Sequence, residues 1–132
     1  MFQLPPLLER ECFFVKNFLL SQVLLKNDAR FLWLILVPKR ANIQEIYELT
    51  QQDQALLGKE IRILSPFVKS TFKADKLNIA SIGNIVPTLH IHLVGRRKGD
   101  PLWPFPVWGD QNAIPYTSFE KEALITNLQR AF

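Results

Sequence analysis

The sequence predicts an α+β fold: an antiparallel meander sheet with one main helix laid across it and a C-terminal helix. Three observations predict it. Two short stretches of strand-like composition and one wholly apolar stretch follow one another within residues 13–37. A stripe at helical spacing comes next, over residues 57–68. Two further strand-like stretches lie beyond that stripe instead of alternating with helices, which favours an antiparallel sheet over a doubly wound one. A chain of 132 residues suits one domain with one core. We assign residues 1–132 to it, with 99–132 as a tail rich in proline and tryptophan.

Taken in order, Pro5-Pro6 open a short helical piece on which Leu7, Leu8 and Cys12 share a face. Residues 13–18 and 21–26, rich in Phe, Val and Leu, read as strands, and Asn27-Asp28-Ala29-Arg30 supplies turn chemistry after them. Residues 31–37 are apolar at every position, which predicts a central strand covered on both faces, and Pro38 ends it. The longest helix starts at Thr50, where a hydroxyl cap precedes the acidic first-turn residue Asp53. Leu57, Ile61, Leu64 and Val68 form its apolar stripe. Pro66 falls inside that stripe and, by removing a ladder bond, predicts a kink or an early end. Residues 78–82 read as a short strand, Gly83-Asn84 as a turn and 89–94 as another strand. Thr117-Ser118-Phe119-Glu120 fits a capping box for a final helix whose apolar face is Phe119, Leu124 and Leu128.

Sixteen Lys and Arg against twelve Asp and Glu give a net charge of +4. These basic residues are scattered apart from Arg96-Arg97-Lys98, which reads as a solvated strand end, so DNA or RNA is not expected as the main partner. The longest apolar run is far short of the ~20 residues of a membrane helix, and residues 1–8 lack the pattern of a secretory signal. The single cysteine, Cys12, cannot staple the fold internally. The expectation is a cytoplasmic protein with no membrane partner.

The only two histidines, His90 and His92, stand two residues apart. On a strand they share a face with Thr88 and Val94, while Leu89, Ile91 and Leu93 point to the core. A polar, solvated strand face accounts for that spacing equally well. A metal site needs three or four ligands, and the pair supplies only two, so no metal is expected.

The surroundings of the pair narrow the reading. Residues 84–96, Asn-Ile-Val-Pro-Thr-Leu-His-Ile-His-Leu-Val-Gly-Arg, resemble the signature of the histidine triad superfamily of nucleotide hydrolases and transferases. Gly83-Asn84-Ile85-Val86-Pro87 is similar to the family lead-in, with Asn84 where Gln is usual. Upstream, Leu34-Ile35-Leu36-Val37-Pro38-Lys39-Arg40 is similar to the family's apolar strand, and Asn27-Asp28 stands where members hold the ribose. Thr88 takes the first triad position, so the triad is degenerate, and Trp33 stands where some branches carry a further histidine. Trp103-Pro104-Phe105-Pro106-Val107-Trp108-Gly109 resembles the tail of a bacterial subgroup described as diadenosine tetraphosphate hydrolase-like.

The resemblance implies that His90 attacks the α-phosphate of a nucleotide or dinucleotide substrate and that water then hydrolyses the nucleotidyl-histidine. It implies that a backbone carbonyl of the same strand holds the second ring nitrogen of His90, and that His92 donates to a phosphate oxygen or the leaving group. Asn27 or Asp28 would accept from the ribose, Asn84 would bond phosphate, and Thr88 would offer one hydroxyl hydrogen bond but no proton at neutral pH. Poor leaving groups are then expected to turn over slowly. Phe18, Leu24 and Leu36 are candidates for the base wall, Ser81 for a phosphate contact, and the tail tryptophans for covering the sheet or a partner subunit. No cofactor is implied, and a homodimer with joined sheets is. The alternative is a catalytically weak or inactive nucleotide-binding module, favoured by Thr88 and Trp33.

Overall fold

The wholly apolar stretch takes the middle of the sheet. In the computed structural model, which describes residues 1–132, it forms β3 (Leu32–Pro38), buried at every position. Such a strand needs cover on both faces and pairing on both edges, and it has both. On one side lie β2 (Ser21–Lys26) and then β1 (Cys12–Asn17), and on the other β5 (Ile91–Arg96) and then β4 (Lys76–Ala80). All pairs are antiparallel. The expected meander holds for β1 to β3. The chain then crosses through helix α2 (Gln51–Thr71), lays β4 at the edge, and returns inward as β5. Both late strands begin two residues away from their expected starts, because residues 81–90 form a longer irregular loop than one turn.

One sheet face is covered by α2 and by α3 (Ser118–Ala131) over a core of fifteen buried apolar residues, including Leu34, Leu36, Leu64, Val68, Leu93 and Leu128. Thr50 Oγ1 accepts from Asp53 N at 3.1 Å, as the sequence predicts for the α2 start. The early end expected at Pro66 does not occur: α2 runs on to Thr71. Leu64 and Val68, on either side of the proline, are fully buried. Burying two such side chains contributes about 3–6 kcal/mol, enough to offset the ~3 kcal/mol an interior proline costs. Gly95 lets the helix come this close, since a Cβ there would stand 3.0 Å from Val68 Cγ1 and 3.1 Å from Phe72 Cδ2.

Helix α3 has the expected capping box of Thr117 and Glu120. Its apolar face is Leu124 and Leu128, however, and Phe119 is exposed. Nine residues at about 100° each put Phe119 half a turn round from Leu128.

The opposite sheet face has a smaller core of nine buried residues, among them Leu8, Cys12, Trp33, Ile35 and Val107. It is covered by the short helix α1 (Pro6–Glu11) and by the tail. Here the solvated end expected at Arg96 is corrected. The Arg96 side chain is 1% exposed, bonded to both carboxylate oxygens of Asp100 at 2.8 and 3.0 Å and to Asn78 Oδ1 at 3.0 Å. Its guanidinium lies over the rings of Phe31 and Trp103, so it holds the tail to the sheet. Lys98 is exposed, as is Arg97, whose guanidinium lies on the Phe72 ring.

Candidate active site

Strand alternation puts Leu89, Ile91 and Leu93 into the larger core and turns His92 and Val94 to the opposite face. His90, just ahead of β5, joins His92 there, with ring centroids 4.9 Å apart. Neither ring lies on a solvated face: His90 is 5% and His92 7% exposed.

The hydrogen bonds define which nitrogen of each ring carries a proton. His90 Nδ1 is 2.7 Å from the Thr88 carbonyl oxygen. A carbonyl only accepts, so Nδ1 carries the hydrogen and the neutral ring keeps its lone pair on Nε2. For His92 the polarity is reversed. Trp33 Nε1 donates to His92 Nδ1 at 3.0 Å. An indole only donates, so Nδ1 of His92 is the acceptor and its hydrogen sits on Nε2. Cross-strand register makes that contact possible: Trp33 faces Val94 and Ile35 faces His92, so the indole and imidazole are diagonal neighbours on adjacent strands. Burial, then the neighbouring His90, then Lys26 push the His92 pKa down to about 3.

The two histidines line a cavity of about 750 Å³, a size typical of small-ligand sites. Its floor includes Trp33 and Ile35, one wall is the loop from Ile82 to Val86, and another is the tail from Val107 to Gln111. Trp108 packs edge-on against both Trp33 and His92, at 6.1 and 5.4 Å between centroids. Its Nε1 is buried without a partner in the protein. Lys26 reaches this cavity, pairs with Glu11 at 2.6 Å and lies over the Trp33 ring. A second, more open depression of about 560 Å³ along the β4 edge contains neither histidine.

Of the residues singled out from the sequence, His90, His92, Asp28 and Asn84 come together on this cavity. Thr88 and Asn27 are not among its lining residues; Thr88 contributes its backbone oxygen to His90. Asp28 is almost fully buried and accepts from Arg30 Nε and Nη2 at 3.0 and 2.8 Å. Arg30 also meets Asp110 of the tail at 2.8 Å. Asn27 Oδ1 accepts from Tyr116 N at 2.9 Å, and Ala29 N donates to Ile114 O. The turn expected to hold a ribose therefore also fastens the tail. Phe18 and Leu36 pack with the larger core on the other sheet face, Leu24 belongs to the smaller core, and Ser81 is absent from the cavity wall.

Trp33 as the partner of His92, and Lys26, Arg30 and Asp110 around the cavity, are functional candidates that reading the chain linearly misses. The sequence marks Trp33 only as standing where some branches carry a histidine, and only an indole nitrogen with nothing polar beside it could have signalled a distant acceptor. Cys12 is chemically quiet, because burial pushes its thiol up to about 12. No group of three or more His, Cys, Asp or Glu is placed to hold a metal ion. No helix is long and apolar enough to cross a membrane.

Comparison with known proteins agrees with the geometry. A family model described as the HIT domain matches residues 8–99. A solved histidine triad protein from Sinorhizobium meliloti is 42% identical, with a TM-score of 0.95 over 99% of this chain and 97% of that one. One from Marinobacter aquaeolei is also 42% identical, with a TM-score of 0.96 over 99% of this chain and 96% of that one. A bis(5'-adenosyl)-triphosphatase of Saccharomyces cerevisiae is 30% identical over 69 residues, 48% of this chain and 34% of the yeast protein. The chain thus spans about a third of the length of the curated relatives it matches.

Proposed function

The chain belongs to the histidine triad (HIT) family, and from that premise we propose that it hydrolyses nucleotide phosphoanhydrides through a covalent nucleotidyl-histidine on His90. The observation that carries this reading is the 2.7 Å contact between His90 Nδ1 and the Thr88 carbonyl. It leaves Nε2 as the free nitrogen of a ring that lines the cavity.

In the first step the Nε2 lone pair forms a bond to the α-phosphorus. The bond from phosphorus to the leaving group breaks, and its electron pair departs with that group. The imidazole is then cationic, with Nδ1–H still donating to Thr88 O. In the second step water attacks phosphorus and gives up a proton to solvent, and the P–N electron pair returns to Nε2. The products are a nucleoside monophosphate and the released group. His92 Nε2–H donates to a phosphate oxygen as charge develops, a contact of the kind that contributes about 3 kcal/mol. The Asn84 amide and Trp108 Nε1 supply further donors, and Asp28 accepts from the ribose. Asn27 acts one step removed, by fastening the tail that walls the cavity.

Dinucleoside polyphosphates are the substrates we favour, in keeping with the yeast relative's name and the cavity's volume. The chain works as a cytoplasmic homodimer, for which β4 offers an unpaired edge with Ile79 exposed. Its dispersed positive charge does not favour DNA or RNA as the main partner.

Incubation with a phosphorus-labelled dinucleoside polyphosphate tests the proposal. We expect an acid-labile adduct on His90, absent from His90→Asn. Nucleotide bound with neither adduct nor product would instead establish the second reading, an inactive binding module, which the threonine at position 88 favours.

A further inference from the structure

We propose that Trp33 is a positioning residue that holds His92 as the neutral Nε2–H tautomer, leaving the site without a histidine acid for the departing group. The inference rests on the hydrolase reading above and deepens it to a substrate class: nucleoside monophosphates joined through a mixed anhydride, whose leaving group departs as a stable anion.

The argument starts from what each group can donate. Trp33 Nε1 has a hydrogen and no lone pair to offer, so the nitrogen 3.0 Å away must present a lone pair. Protonating His92 there would set N–H against N–H and strand a buried indole donor. The indole is not free to turn away. Phe31 and Trp108 pack edge-on against it, and Lys26 Nζ lies 5.6 Å from its centroid. The charged surroundings also disfavour an imidazolium. His90 stands beside His92 on its own element, and Lys26 faces it from β2. The nearby carboxylates are already paired, Glu11 of α1 with Lys26, and Asp28 and Asp110 with Arg30. His92 thus donates a hydrogen bond from Nε2 but delivers no proton near neutral pH. Thr88, with only a hydroxyl, cannot replace it.

The chemistry then selects the substrate. When the bond to phosphorus breaks, its electron pair goes to the leaving group, and neither His92 nor Thr88 supplies that group with a proton. A phosphate, carboxylate or sulfate leaves readily as an anion. An amine leaves only after its nitrogen is protonated, so a phosphoramidate is a poor substrate here.

Ring-nitrogen NMR on the ¹⁵N-labelled protein, followed from about pH 5 to 8 around the ordinary histidine pKa, tests the tautomer directly. In the unsubstituted protein we expect His90 with its hydrogen on Nδ1, and His92 with its hydrogen on Nε2 and no titration. In Trp33→Phe, with burial, His90 and Lys26 unchanged, His92 should stay neutral over this range but populate the Nδ1–H form as well. The rate on a dinucleoside polyphosphate should then fall about 10-fold or more, because the Nδ1–H form turns a lone pair instead of a donor towards the phosphate. Titration of His92 in the unsubstituted protein, or an unchanged spectrum in Trp33→Phe, overturns the proposal. Should Trp33→Phe fail to fold, the unsubstituted protein alone decides the tautomer. The spectrum needs no turnover. The expected tautomers in a protein that cleaves no nucleotide would therefore support the role of Trp33 and overturn only the hydrolase reading. Equal rates on a nucleoside phosphoramidate and a dinucleoside polyphosphate in the unsubstituted protein would overturn the substrate class.

Discussion

The two faces of the sheet do different work. The face under α2 and α3 buries fifteen apolar residues in one cluster and no histidine. The face under α1 and the tail has only nine, interleaved with His90, His92, Asp28 and Arg96, all buried and each hydrogen-bonded. Apolar packing is non-directional and tolerates exchange at constant volume. A polar network fixes single atoms and loses more when one partner goes. The difference teaches that apolar packing is concentrated on one side of β3 and the buried polar groups on the other, with the two separated by one sheet.

Four substitutions or conditions would break or sharpen that division. The largest effect is expected for His90→Ala: turnover should fall by about 10⁴-fold or more, while stability drops by only about 1–3 kcal/mol from the lost bond to Thr88. A loss below about tenfold in steady-state kinetics would remove His90 from the chemistry. Next comes Leu64→Ala beneath α2, which should cost about 2–5 kcal/mol in denaturant unfolding and leave kcat/KM of the remaining folded protein unchanged.

The third probe is pH. The folded pKa of His92 is depressed, from 6.5 to about 3. Between these values the unfolded chain binds the proton that the folded chain refuses, so stability falls as pH drops. The slope from this one group approaches about 1.4 kcal/mol per pH unit, flattening near pH 3. Urea titrations at pH 6 and pH 4 should show that loss in the unsubstituted protein and a smaller one in His92→Asn. Equal losses would mean that His92 is free to charge in the fold. The smallest effect is expected for Asn27→Ala. Losing its bond to Tyr116 N should cost about 1 kcal/mol, with KM raised and kcat little changed. An unaltered KM would separate the tail clasp from substrate binding.

Much of the fold was legible because it depends on neighbours in sequence. The run at residues 31–37 announces a central strand, Thr50 and Asp53 announce the helix start, and the alternation around His90 and His92 divides core from site. Pro66 misled because a local rule was outweighed by burial at Leu64 and Val68. Arg96 misled because three basic residues in a row look solvated until Asp100 and Asn78 are folded against the first of them. The partnerships within the site were the least legible. Trp33 and His92 are 59 positions apart, and Asn27 and Tyr116 are 89 apart. Such contacts depend on strand register and on where the tail returns, and neither quantity has a local signature.

The returning tail also sets an order of events during synthesis. Both histidines lie before residue 97, whereas the wall containing Trp108 and Asp110 is fastened by Ile114 and Tyr116. A chain interrupted between those points would hold both imidazoles with one flank open to water. The cavity wall is therefore complete only once residues 107–116 have been synthesised and have docked beside the strands.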